Sequence, residues 1–172
     1  PRLIGMDTMN YWIEGHFESL LQTLKHVDVL LINDAETRQL AGESSLVRAA
    51  MKIMGWGPRT LVVKRGEYGV LKFSLDADGN LTAFGLPALP LENVLDPTGA
   101  GDSFAGGFMG YLAGSGRTDD ATMRQAVVFG SVMASFNVER FSVERLQELT
   151  FTEVQLRYRE FQELTFFESL SD

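Results

Sequence analysis

Two apolar runs constrain this chain more than any other feature: the one that fills "VLLIN" (29–33) up to its closing Asn33, and the one that opens "TLVVKRG" (60–66) before Lys64. A strand with one face in water alternates apolar and polar residues. A short continuous run of branched apolar residues fits a strand buried on both faces. Such strands need covering helices, and the neighbouring segments supply them. Phe17, Leu20, Leu21 and Leu24 fall at helical spacing within 16–27. Residues 34–40 read as a short helix stopped by Gly42, and 45–54 as another ended by "GWGP". Arg2 to Asp7 reads as a further short buried strand. Strands alternating with helices predict an α/β sheet.

Beyond residue 66 the rhythm changes. Val70–Ser74 and Leu81–Phe84 flank "DADGN", a hairpin turn that lacks the full calcium-loop pattern. Residues 86–95 are extended and punctuated by proline. Helices are predicted over 100–113, 120–137, a short stretch after Ser142, and 153–167, where Thr152 and Gln155 have capping-box spacing. There is no internal repeat and no low-complexity linker. The 172 residues suffice for one domain with a real core.

Charge and composition exclude several classes of function. The net charge of −8 argues against a nucleic-acid or anionic-membrane surface, and so against partners of either kind. Half of it sits in 139–172, with eight acidic and four basic residues. The absence of cysteine excludes disulfides and thiolate metal sites. No signal peptide opens the chain, and no apolar run approaches the roughly 20 residues of a membrane helix. The expected compartment is the cytoplasm.

Ligands of open α/β sheets sit beyond the carboxyl ends of the strands. Asp7, Asn33 and Lys64-Arg65-Gly66 fall at predicted strand ends, and Asp102 follows an extended stretch. These four stretches are expected at one edge. The last lies in "NVLDPTGAGDSFAGGF" (93–108). Gly99, Ala100 and Gly101 leave their backbone N–H groups open to a ligand, and a helix start there aims those groups and the positive end of its dipole at one point. That suits phosphate. The loop is neither a Walker loop, which needs a following Lys, nor a dinucleotide fingerprint, since position 104 is Phe. Asp102 would repel a static phosphate, but it suits a hydroxyl whose proton leaves as its oxygen attacks phosphorus. The plainer reading is a helix start with Asp102 in its first turn. Gly106, Gly107 and Gly110 weaken the following helix, and close packing against neighbours is the expected offset.

"DPTGAGDSFAGGF" resembles the second signature of the ribokinase-like (pfkB) carbohydrate kinase family. "NDAE" (33–36) matches that family's N-x-x-E motif, "VVKRGEYGV" resembles its nucleotide-contacting strand and turn, and "VMASFNVERF" resembles the segment closing its adenine pocket. The resemblance covers about residues 3–148. It implies a three-layer α/β/α fold with a mostly parallel central sheet. It also implies ATP-dependent phosphoryl transfer to a hydroxyl of a sugar or nucleoside. Asp102 would be the catalytic base and the N–H groups of Gly99, Ala100 and Gly101 the anion hole. Asn33 and Glu36 would hold Mg²⁺ largely through water. Their local reading is a helix N-cap with Glu at N3, and both can hold at once. Lys64, Gly66 and Gly69 would line the nucleotide. Many relatives have a small hydroxyl residue at position 64, so Lys64 either neutralises phosphate or caps a strand in solvent. Asp96 and the Thr98 carbonyl match the family's K⁺ site, with further carbonyls from a 133–141 loop; the alternative is turn hydrogen bonds made by Asp96. His16 and His26 have no ligand spacing and are expected at the surface. Tyr11-Trp12 is expected in the core, with the edge of an active site as the alternative.

Chains of that family are usually close to twice this length. The expectation is that 1–172 is the C-terminal part of a single ribokinase-like kinase domain, without the opening strands, sugar pocket and β-lid. An exposed sheet edge beside Arg2–Asp7 would then favour self-association, as a dimer or larger, and the chain alone would be inactive. Two other functions remain open: a non-catalytic nucleotide- or phosphate-binding module, and a structural remnant. ATP binding separates the last from the others, and transfer to an acceptor separates the first two.

Overall fold

The computed structural model describes residues 3–76 and 78–170. Arg2 of the first predicted strand and Ala77 of the predicted hairpin turn lie outside the described residues. The chain forms two compact units: residues up to Gly66 with Val70–Gly85, and Glu67–Gly69 with Leu86 onward.

Among the described residues of the first unit the strands β1 (Gly5–Asp7), β2 (Val29–Asn33), β3 (Thr60–Lys64), β4 (Val70–Leu75) and β5 (Leu81–Leu86) form one sheet in that spatial order. β1, β2 and β3 are parallel, and β4 returns antiparallel to β3. The two unbroken apolar runs are the interior strands β2 and β3. Their register sets Leu30 beside Leu61 and Ile32 beside Val63. With Phe73, these side chains cluster against Ile13 of α1 (Asn10–Gly15), Leu20 and Leu24 of α2 (Phe17–Leu24), Leu40 of α3 (Asp34–Ala41) and Ile53 of α4 (Leu46–Met54). Each fully buried Leu, Ile or Val stabilises by roughly 1.5–3 kcal/mol, so this face contributes substantially to the first unit's stability. Asp28 ties β1 to β2 by accepting the Ile4 N–H at 2.8 Å.

The helix starts follow local chemistry. Asn33 caps α3, and Gly42 ends it in the left-handed region. Ser45 caps α4. Helix α1 departs from expectation. It has six residues, no side-chain cap at Met9 and a single buried residue, Ile13. Neither periodicity nor capping announces so short a helix. It turns Ile13 inward and its neighbours outward, so Tyr11 and Trp12, expected in the core, are 59% and 45% exposed. They meet edge to face, and the His16 ring lies tilted against both, with its Nε2 3.2 Å from the Tyr11 hydroxyl. His16 and His26 are both exposed.

The second unit contains α5 (Ala100–Ser115), α6 (Asp120–Asn137), α7 (Glu144–Gln147) and α8 (Phe151–Thr165). Phe104 meets Gly130, Gly107 meets Phe129 and Tyr111 reaches Gln125, so α5 and α6 run antiparallel. A Cβ on Gly107 would stand 2.7 Å from Met133 Cγ, so this glycine permits the helices to approach. Gly106 and Gly110 have open space beside them, and close packing explains neither. Helix α6 runs through Asn137, as predicted for 120–137, so the first five residues of 133–141, which the family resemblance makes a loop at the cation site, are helical. The capping box of α8 is Thr150 with Glu153, two residues earlier than expected, because Glu153 rather than Gln155 reaches back to the cap. Arg145 and Arg157 lie over the Phe136 ring, 4.9 and 4.0 Å from its centroid, and both donate to Glu139.

Candidate functional site

The second unit carries the glycine loop. Gly99 is the N-cap of α5 at φ +81°, in the left-handed region that a side chain would strain. Ala100 N–H closes a turn on the Pro97 carbonyl at 3.2 Å, and Ser103 N–H makes the first helical bond, to Gly99 at 2.8 Å. One of the three expected anion donors, Ala100, is thus engaged in the turn. No acceptor among the described residues takes the N–H of Gly99 or Gly101. Asp102 stands in the first turn of α5 and is exposed.

The loop is held from behind by residues that sequence reasoning missed. Asn137, the last residue of α6, is fully buried. Its Nδ2 donates to the Thr98 carbonyl and its Oδ1 accepts from the Ser103 hydroxyl, both at 2.8 Å. The only signal was a polar residue closing the apolar stretch "SVMASFN". Its partners lie 39 and 34 residues away. Asp96 Oδ1 accepts from Thr98 N–H at 2.9 Å, and Oδ2 from Ser142 N–H at 3.2 Å. The Thr98 N–H foremost, then the Thr98 hydroxyl and the Ser142 N–H, hold the Asp96 carboxyl below its usual pKa. Ser142 adopts φ +52° in making this bond, the sole non-glycine at positive φ among the described residues.

The first unit carries a second group at the carboxyl ends of its parallel strands. Register sets Asn33 beside Lys64. Asn33 and Glu36 form a reciprocal capping box: Asn33 Oδ1 accepts from Glu36 N–H at 2.8 Å, and Glu36 Oε2 from Asn33 N–H at 3.2 Å. The local reading of that pair is therefore present. Lys64 is not a free strand cap. Its Nζ donates to Asp7 Oδ2 at 2.7 Å, and Asp7 Oδ1 accepts from Thr8 N–H. Gly66 is exposed at φ +57° with open space beside it. Gly69, in the second unit, is buried at φ +82°, and a Cβ there would lie 2.1 Å from the Leu86 carbonyl oxygen. Its smallness serves a close approach of two backbones. Among the described residues no three of Asp, Glu or His gather as a direct metal cage.

The strand order and the helices around it are those of the ribokinase-like α/β fold. Aminoimidazole riboside kinase from Salmonella enterica, solved with aminoimidazole riboside and an ATP analogue, superposes at TM-score 0.77 with 22% identity, over 91% of this chain and 52% of that one. A putative ribokinase II from E. coli, solved with ATP and Mg²⁺, gives 0.72 and 22%, over 91% and 48%. The model of the pfkB family carbohydrate kinases matches residues 8–148, and the chain belongs to that family. It is 40% identical over 98 residues to the cytidine kinase of Thermococcus kodakarensis, covering 55% of this chain and 33% of the relative. It is 34% identical over 113 residues to the nucleoside kinase of Methanothermobacter thermautotrophicus, covering 65% and 32%. The matched segments span about a third of those relatives' length.

Proposed function

We propose that this chain carries nucleotide-binding and phosphoryl-transfer residues of an ATP-dependent kinase acting on a hydroxyl of a nucleoside or sugar. The observation that carries the reading is the start of α5: a left-handed Gly99, unengaged N–H groups at Gly99 and Gly101, and an exposed carboxylate three residues into the same turn. The N–H groups suit the charge that develops on a transferred phosphoryl group. Asp102 takes the proton of the acceptor hydroxyl as its oxygen bonds to the γ-phosphorus. The bond from that phosphorus to the β,γ-bridging oxygen breaks, and ADP leaves. In the first unit, Asn33 and Glu36 are oxygen donors suited to a hydrated Mg²⁺, which would supply charge neutralisation, and Lys64 and Gly66 are the proposed nucleotide contacts. Nucleosides are the first acceptors to try, given the cytidine and nucleoside kinases among the relatives.

Residues 1–172 alone are expected to be inactive, so the test, made in a chain long enough to include the opening strands, acceptor pocket and lid, is calorimetric ATP binding together with transfer from γ-labelled ATP to a panel of nucleosides and sugars. Binding with transfer that Asp102→Asn abolishes is the expected result. Binding with no transfer to any acceptor points to a phosphate-binding module. No binding at all removes both readings.

A further inference from the structure

Several of the oxygens that the family resemblance assigns to a K⁺ ion already accept a hydrogen bond. Both Asp96 carboxylate oxygens accept backbone N–H groups. The Thr98 carbonyl accepts from Asn137 Nδ2. Within 133–141, the carbonyls of Ala134, Phe136, Val138 and Phe141 accept from Val138, Glu139, Leu95 and Glu144 respectively. The orientation of the Asn137 amide is fixed by chemistry: a carbonyl can only accept, so the nitrogen must face Thr98, and the Ser103 hydroxyl then donates to the oxygen.

We infer that the buried Asn137 amide stands in for a monovalent cation, bracing the Thr98–Gly99 turn onto α5 so that the loop is held without K⁺. A cation would draw the Thr98 carbonyl by its positive charge; the amide N–H supplies partial positive charge at the same oxygen, 2.8 Å away. The second bond, to Ser103 in the first turn of α5, fixes the loop and the helix start to one rigid group. Asn137 is a positioning residue: it touches the loop and not the reacting atoms. The inference concerns the resting loop, so it stands or falls independently of phosphoryl transfer.

Amide hydrogen exchange at 98–103 tests it in the nucleotide-free protein, in K⁺ and in tetramethylammonium at matched ionic strength. Wild type should exchange at the same rate in both salts. Asn137→Asp keeps the size and the Ser103 bond but turns an oxygen toward the Thr98 carbonyl. With that carboxyl ionised, at a pH well above the carboxylate range, exchange at 98–103 should then rise at least tenfold in tetramethylammonium and slow again in K⁺, because a cation bridges two oxygens that otherwise repel. A purely structural role for Asn137 would show no such cation response. Ser103→Ala, a smaller change, should speed exchange in both salts and serves if Asn137→Asp fails to fold. Wild-type exchange several-fold slower in K⁺ would overturn the inference. So would an Asn137→Asp or Ser103→Ala loop as protected as wild type without K⁺.

Discussion

Asp102 and Gly69 illustrate two opposite demands on single residues. Asp102 is exposed, so its replacement should leave the fold intact. If it is the base, Asp102→Asn should lower transfer by about 10²–10⁴-fold, the usual contribution of a general base, while calorimetric ATP affinity stays within about twofold. A loss below about tenfold would mean that another group takes the proton. Gly69 is buried at φ +82°, and a Cβ there meets the Leu86 carbonyl. Left-handed backbone alone costs roughly 1–2 kcal/mol for a residue with a Cβ, and the overlap adds to it. Gly69→Ala should therefore shift the denaturant midpoint clearly downward, whereas Gly66→Ala, with open space beside it, should carry the backbone term alone. Equal effects at the two positions would contradict the overlap argument.

At the scale of elements, the caps make the acid response predictable. The Thr150 hydroxyl and N–H, with Arg145 behind them, lower the Glu153 carboxyl to about 2. The Thr122 N–H and hydroxyl, then Arg117, lower Asp119 to about 2. Carboxyls depressed in the folded state stabilise it fully above their unfolded pKa values, and the contribution fades as pH falls through the folded ones. Thermal stability of α6 and α8 should drop between about pH 4.5 and about pH 2, and Thr150→Ala, which removes the principal cause, should flatten that drop and lower stability by about 1 kcal/mol at neutral pH. Circular dichroism melts across that range check both. The same caps show where sequence was legible. Gly42 and Ser45 bound their helices within one residue of expectation, because cap chemistry is local. The interior strands were legible because burial on both faces leaves no room for polar residues. Helix α1 was not, having one buried residue and no cap. The glycine loop and Asp102 could be read as a pattern, but the residues holding them could not. Asn137 finds Thr98 across 39 positions, and Lys64 finds Asp7 across 57, and nothing local encodes either pairing.

For the whole molecule, the charge of −8 acts on any nucleotide that approaches. ATP is itself strongly anionic, so the mean field opposes encounter, and salt screens that opposition within about 10 Å at 0.1 M. Stopped-flow association rates for ATP should rise as ionic strength goes from about 10 to about 150 mM, at constant free Mg²⁺. A falling rate would mean that the local field of Lys64 and Arg65 outweighs the rest of the chain. A second consequence follows from the two guanidinium groups over Phe136. Arg157 belongs to α8, beyond residue 148 where the family match ends, yet it donates to Ser135 and Glu139 and covers the ring next to Asn137. A chain cut after Leu149 would retain every matched residue and still lose Arg157 and the buried Phe161. The stretch that inheritance marks out and the stretch that must fold together therefore have different borders, and a domain trimmed to the first would lack part of its own foundation.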